Sequence, residues 1–225
     1  MAKFSKPAGT LFTQISSGIY KGKKLALPAL SSTRSTKSIV KGSFFDTWRA
    51  ELRGAAFIEC FGGSGAMALE ALSNGAKNVY AIEKDAAAHK IMQKNFELFG
   101  LGANAILGDC FERLSEILHE LQADMNGRSA ANSSGSHTVN SGENSVSDPA
   151  RRVFVYLDPP FAIRQGFGGI YERVLVLIAR LGSAQCELLI AIEHMSELEL
   201  PPKIGDFALL KSRKFGATTM SYYAR

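Results

Sequence analysis

The chain holds little of what marks several protein classes. Its 225 residues include three cysteines, Cys60, Cys110 and Cys186, far apart and odd in number, with no CxxC pair and no Cys/His cluster. That excludes a disulfide framework or a structural zinc site as the organising principle. The four histidines show no ligand spacing, and no metal is expected. Long apolar runs are missing: the longest uncharged one, Val174 to Ala179, is far too short to span a bilayer. The opening Met1-Ala2-Lys3-Phe4-Ser5-Lys6-Pro7 lacks the apolar core of a secretory signal. A cytoplasmic monomer without a membrane partner is therefore expected. Charged residues make up only 21%, but 46% are hydrophobic, enough to bury the core of one α/β domain with a small appendage.

Charge is unevenly placed. Residues 1–53 carry ten basic side chains against Asp46 and Glu51, a net +8, whereas the whole chain is +5, so the remainder is slightly acidic. A basic front on an acidic body reads as a polyanion-facing appendage, or alternatively as a solubilising tail. Residues 11–27 read as a small hairpin with Lys21-Gly22-Lys23-Lys24 near its turn. Residues 34–48 read as a helix whose Val40, Phe44, Phe45 and Trp48 are packing groups by their spacing.

From residue 51 onward apolar strands and helices alternate. Strands are expected at 55–61, 79–82, 103–107, 153–157 and 188–192. Helices are expected at 66–72, at about 85–99 with Ile91, Phe96 and Phe99 buried, at 111–121 and at 171–181. Residues 207–211 and 218–223 are too close for a crossover and predict an antiparallel hairpin. Residues 124–150, rich in Ser, Asn and Gly, read as a mobile surface loop inside the domain. The fold class is α/β: a doubly wound, mostly parallel sheet with a C-terminal antiparallel hairpin. A basic appendage over 1–50 precedes the main domain of 51–225. Ligands of such sheets sit outside the carboxyl ends of the strands.

Three constellations fall at those ends. Glu59-Cys60-Phe61-Gly62-Gly63-Ser64-Gly65 places glycines between a strand and a helix, where a ligand can approach backbone N–H groups. Alone it is a weak signal, shared by nicotinamide, flavin and nucleotide sites and by empty tight turns. Glu83 follows the second strand about twenty residues later, where an acid can take ribose hydroxyls or simply face solvent. Asp158-Pro159-Pro160-Phe161 ends the fourth strand. Its prolines remove backbone donors. What it offers is a carboxylate, a carbonyl that no neighbouring amide claims and an aromatic face, groups suited to an exocyclic base amine.

At these residues the chain resembles S-adenosylmethionine-dependent methyltransferases that act on exocyclic base amines. It is most similar to the RsmD family of 16S ribosomal RNA guanine-N2 methyltransferases. The likeness also rests on Gly18-Ile19-Tyr20-Lys21-Gly22-Lys23-Lys24-Leu25, on Arg34-Ser35-Thr36 with Val40-Lys41 and Phe44-Phe45, on Phe61-Gly62-Gly63-Ser64-Gly65 and on Ile82-Glu83. The family's pattern changes at Ser35, Ser38 and Gly42. The resemblance implies a Rossmann-like fold and S-adenosylmethionine held by Glu59, Phe61, Gly63, Gly65, Glu83, Lys84, Asp109 and Cys110. It implies that Asp158 and the carbonyl of Pro159 hold guanine N2, with Pro160 completing the motif and Phe161 stacking on the base. Lys21, Lys23, Lys24, Arg34, Lys37 and Lys41 would meet the backbone of 16S rRNA or an assembling small subunit.

Other classes fit less of the sequence. A DNA adenine or other amine methyltransferase would use the same D-P-P-F chemistry, but no segment is large enough to read a duplex. A nicotinamide dehydrogenase would leave Asp158-Pro159-Pro160-Phe161 idle. A non-catalytic RNA-binding relic would have lost Asp158 or the glycines, and both are present.

Overall fold

The computed structural model of the chain describes residues 11–28, 34–133, 148–160 and 169–225. A hairpin of β1 (Leu11–Gln14) and β2 (Lys24–Leu27) precedes helix α1 (Arg34–Leu52). Then β3 (Ala56–Cys60), α2 (Ala66–Ser73), β4 (Asn78–Glu83), α3 (Ala86–Glu97), β5 (Ala105–Leu107), α4 (Cys110–Ser133) and β6 (Arg152–Leu157) alternate. The chain ends with α5 (Ile170–Arg180), β7 (Glu187–Met195), β8 (Lys203–Ile204), β9 (Phe207–Phe215) and β10 (Thr218–Ala224). The main sheet has the order β5-β4-β3-β6-β7-β10-β9-β8. Its first five strands are parallel, and β10 inserts antiparallel between β7 and β9. The doubly wound sheet and its C-terminal hairpin are as the sequence predicts.

Helices cover both faces, so every residue of β3 is buried and the central strands read as unbroken apolar runs. Phe57, Phe154, Tyr156 and Tyr222 point to the face covered by α1, α2 and α3. Ile58, Val155, Ile190 and Ile192 point to the face of α4 and α5. Phe44 sits at the centre of the first layer, edge-on to Phe45, Phe57, Phe154 and Tyr156. Val40, Phe44 and Phe45 are fully buried, which is the packing role their spacing predicts.

Two expectations change. The buried stripe of α3 is Met92, Asn95 and Phe96, whereas Ile91 and Phe99 are half-buried. Asn95 escapes an apolar-spacing rule because it is polar, yet its amide is fully used. Its Oδ1 accepts from the Ala26 N–H at 2.9 Å, and its Nδ2 donates to the carbonyls of Ala26 and Ser64. Helix α4 continues to Ser133, into the segment read as a loop from residue 124. Met125 packs against the second core and carries the helix onward despite the polar composition. Residues 134–147 lie outside the described residues.

The hairpin and α1 are fastened through one carboxylate. Glu70, on α2, is fully buried and accepts from the Ser16 N–H at 2.9 Å, the Ser16 hydroxyl at 2.7 Å, the Ser17 N–H at 2.8 Å and Lys41 Nζ at 2.7 Å. Burial alone would raise its pKa, but Lys41 and Ser16 outweigh that and hold it below the usual carboxylate range. Stability from a depressed acid is present at neutral pH and lost as pH falls through the folded-state value. Glu70→Gln should therefore cost about 3 kcal/mol at pH 7, with the gap to wild type closing in acid. Urea unfolding across pH measures this, and a gap independent of pH would contradict it.

Candidate active site

The site is set by sheet register. Ile106, Ile82, Cys60, Leu157, Ile192, Ser221 and Ser212 form one paired row across the strands. One residue further, at the carboxyl ends of the parallel strands, the next row reads Leu107, Glu83, Phe61, Asp158, Glu193, Met220 and Arg213. Residues from Phe61 to Met220, 159 positions apart in sequence, thus come into one line through the register of the sheet.

The predicted cofactor-binding residues all lie among the described residues. The glycine turn leaves β3 through Phe61, which holds a left-handed φ of 60° without being glycine. Gly63, at φ 54°, is where a side chain would meet nothing, so its backbone borders open space. Gly65 has another purpose: a Cβ there would collide with the Phe96 ring of α3, so this glycine lets α3 close on the turn. Glu83 binds the turn directly, one carboxylate oxygen accepting from the Gly63 N–H and the other from the Asp85 N–H, both at 2.7 Å. Glu59 is buried, and its Oε2 accepts from the Ala68 N–H at 2.9 Å, satisfying a free donor in the first turn of α2.

Asp109 precedes α4, which starts at the buried Cys110. Its carboxylate pairs with Lys84 Nζ at 3.0 Å, lies 3.8 Å from Arg173 and accepts from the Phe111 N–H. Burial works to raise its pKa, but Lys84 and the Phe111 amide prevail and hold it below the ordinary range. Arg173 also lies over the Phe111 ring at 3.9 Å, and that ring stands edge-on to Phe61.

Asp158 is half-buried and Pro159 buried; the prolines end the ladder of β6. Phe161 lies outside the described residues. Beside Asp158 the structure adds groups that sequence reading passed over. The Tyr156 hydroxyl donates to Glu193 Oε2 at 2.7 Å, wholly inside the protein. Burial, then the charges of Glu193 and Asp158, push its pKa well above that of a free phenol. Tyr171 of α5 is pushed up to about 12, by burial first and with Asp158 and Glu193 adding to it. Both phenols are neutral at pH 7. Glu193 is one of these groups. Its position immediately after an apolar strand run was the available signal, the same one that singles out Glu83 and Asp158. His194 points to the other face, where Nδ1 donates to the Met195 carbonyl and Nε2 accepts from the Ser221 hydroxyl.

The basic residues divide. Lys41 is held by Glu70 and is only 12% exposed. Lys23 donates to the Leu98 carbonyl and lies over the Phe99 ring at 4.2 Å. The Lys21–Lys24 turn is anchored at Ser73 and Leu98, where α2 and α3 end. Helices that follow parallel strands run back towards the strands' amino ends, so this turn lies away from Asp158. Lys21 and Lys24 are exposed there. Arg34 opens α1, whose Ser43 meets Arg213 and whose Trp48 meets Lys211 further down β9, so its first turn lies at the Asp158 end. A recess lined by Ala56, Asn78, Met125 and Asp148 opens at the amino ends of β3 and β4, remote from this chemistry.

Fold and register together define a Rossmann-like methyltransferase-fold protein. Over residues 13–126 and 110–224 the chain matches the family described as "Conserved hypothetical protein 95". It belongs to that family, the RsmD family. Similar relatives include Bacillus subtilis YlbH, provisionally described as an rRNA methyltransferase, 24% identical over 94% of this chain and 98% of its own. Another is the Escherichia coli K12 protein named "Ribosomal RNA small subunit methyltransferase D", 27% identical over 94% of this chain and 89% of its own. A solved structure from Escherichia coli, yhhF, provisionally described as a methyltransferase, superposes with a TM-score of 0.66 at 22% identity, covering 95% of this chain and 98% of that one.

The two glycines should behave differently on substitution. Gly63→Ala bears only the left-handed backbone penalty, about 1 to 2 kcal/mol. Gly65→Ala adds overpacking against Phe96 and should lose about 2 kcal/mol more. Denaturant midpoints of the two variants compare them directly, and equal losses would remove the packing role given to Gly65.

Proposed function

We propose that the chain is an S-adenosylmethionine-dependent methyltransferase that modifies the exocyclic N2 of a guanine in small-subunit ribosomal RNA. The observation that carries this reading is Asp158-Pro159-Pro160 at the end of a buried central strand, on one row with Glu83 and the glycine turn. Family membership and the names of the relatives support the ribosomal substrate.

The residues present fit the cofactor. Open space beside Gly63 admits a ligand to the turn, and Glu83, half-buried at the next strand end, suits a ribose diol. The same reading assigns Glu59, Phe61, Gly65, Lys84, Asp109 and Cys110 to the cofactor's surroundings, in or near the carboxyl ends of β3, β4 and β5. When bound, S-adenosylmethionine supplies a methyl group already activated by its sulfonium.

The chain's own work is alignment and electrostatics. The Asp158 carboxylate and the Pro159 carbonyl accept the two N–H hydrogens of the guanine amine and turn its lone pair towards the methyl group. Proline at 159 and 160 leaves no amide to compete for those acceptors. Stacking on the base is the role that the family resemblance gives to Phe161. Glu193 and Asp158, both near the neutral phenols of Tyr156 and Tyr171, would favour a sulfonium cation and amine donors. The target guanine has to leave its stack to enter. Among the described residues there is no group of three or more His, Cys, Asp or Glu that could hold a metal, and no helix long and apolar enough to cross a membrane.

Asp158→Ala should lower methyl transfer to unmodified small subunits by about 10² to 10³-fold or more, while S-adenosylmethionine binding stays within a few-fold. Labelled methyl transfer with nucleoside identification tests this beside duplex DNA. Label in N2-methylguanosine that depends on Asp158 is the expected result. Label only in DNA, or an active Asp158→Ala, would overturn the reading.

A further inference from the structure

The row that holds Asp158 ends, three strands away, on a cation. Glu193 pairs with Met220 and Met220 with Arg213, so Arg213 lies about 14 Å from the Asp158 position at a strand spacing of about 4.8 Å. Arg213 is exposed, and among the described residues only its Nη1 is engaged, donating to Ser43 Oγ at 3.1 Å. A guanidinium has five N–H donors, so most remain available. Lys214 follows it and is exposed, and Lys211, two residues earlier on the same face, lies over the Trp48 ring at 4.5 Å. Residues 207–225 contain Lys211, Arg213, Lys214 and Arg225 and no acidic residue.

This strand also has a free side. β8 pairs only with Phe207 and Ala208, so beyond them the outer edge of β9 has no neighbouring strand among the described residues. The tip is stiff: the Ser196 N–H donates to the Ala217 carbonyl, and the Ser196 hydroxyl donates to the Gly216 carbonyl. A rigid, cationic, open edge aligned with the reactive row suits a polyanion held past the site. By contrast, the Lys21–Lys24 turn lies towards the opposite ends of the strands, and Lys41 is committed to Glu70.

We propose that the open edge of β9, through Arg213, Lys214 and Lys211, is a contact for the ribosomal RNA backbone that holds the strand beside Asp158. This rests on the RNA-methylating reading above and adds the surface that reading leaves unassigned. Phosphates engaged here give affinity and register, while the guanine itself is selected in the pocket.

The test compares wild type, Arg213→Gln/Lys214→Gln and Lys21→Gln/Lys24→Gln for binding to small-subunit rRNA over a salt series. Methyl transfer, S-adenosylmethionine affinity and unfolding midpoint are measured in parallel. The Arg213/Lys214 variant should bind on the order of ten-fold more weakly, and its slope of log affinity against log salt should fall by about 1.4, as for two phosphates on a single strand. KM for RNA should rise, with kcat, cofactor affinity and the unfolding midpoint preserved. A wild-type slope in that variant, or a fall confined to the Lys21/Lys24 variant, would overturn the β9 surface while leaving the enzymatic reading intact. Wild-type protein without salt-dependent affinity for the rRNA would overturn both.

Discussion

A carboxylate with no exposed surface decides how the front of this protein is built. Glu70 lies inside α2, and its ionised form is tolerable only because hydroxyls, amides and one ammonium converge on it. Those donors come from the loop after β1 and from α1, segments that precede the main sheet in the chain. Satisfying Glu70 therefore fixes both at once, and it orients α1 so that Phe44 drops into the aromatic layer over β3, β6 and β10. The basic front is less an appendage than a wall of the core, since Ile15, Leu25, Val40 and Phe44 share one apolar cluster with Phe57 and Tyr156.

With that wall in place, the chemistry is a matter of register. Parallel pairing makes Glu83, Phe61, Asp158 and Glu193 neighbours although each belongs to a different strand end. The backbone turn after β3 is strained at Phe61, and the strain is offset locally: Glu83 holds the Gly63 amide, and the absence of a side chain at Gly65 lets Phe96 pack. Two acids, Asp158 and Glu193, thus lie near two phenols that burial keeps neutral, at one end of an otherwise apolar sheet.

Much of this was legible in the residues alone, because strands buried on both faces announce themselves as runs such as Val153–Leu157, and turns as Gly62-Gly63 or Asn74-Gly75. The acids that end those runs, Glu83 and Asp158, were legible for the same reason. What stayed hidden was tertiary. Nothing near Lys41 in sequence reveals that Glu70 claims it, and Asn95 looks like a solvent residue until its partners at Ala26 and Ser64 are known. Tyr156 reads as one more apolar strand position until its hydroxyl is seen on Glu193. Composition also misled at Asp124–Ser133, where packing by Met125 extends a helix through residues that locally favour a loop.

Helix α4 is long for this architecture. Twenty-four residues span about 36 Å, while the six residues of β6 cover about 20 Å. Beginning at Cys110 beside the reactive row, it must run past the amino ends of the strands, where Pro149 meets Gly54. Ser133 and Asp148 consequently lie at the pole facing away from Asp158. A fluorophore or affinity handle attached at that pole would stand at the far end of the sheet from Asp158.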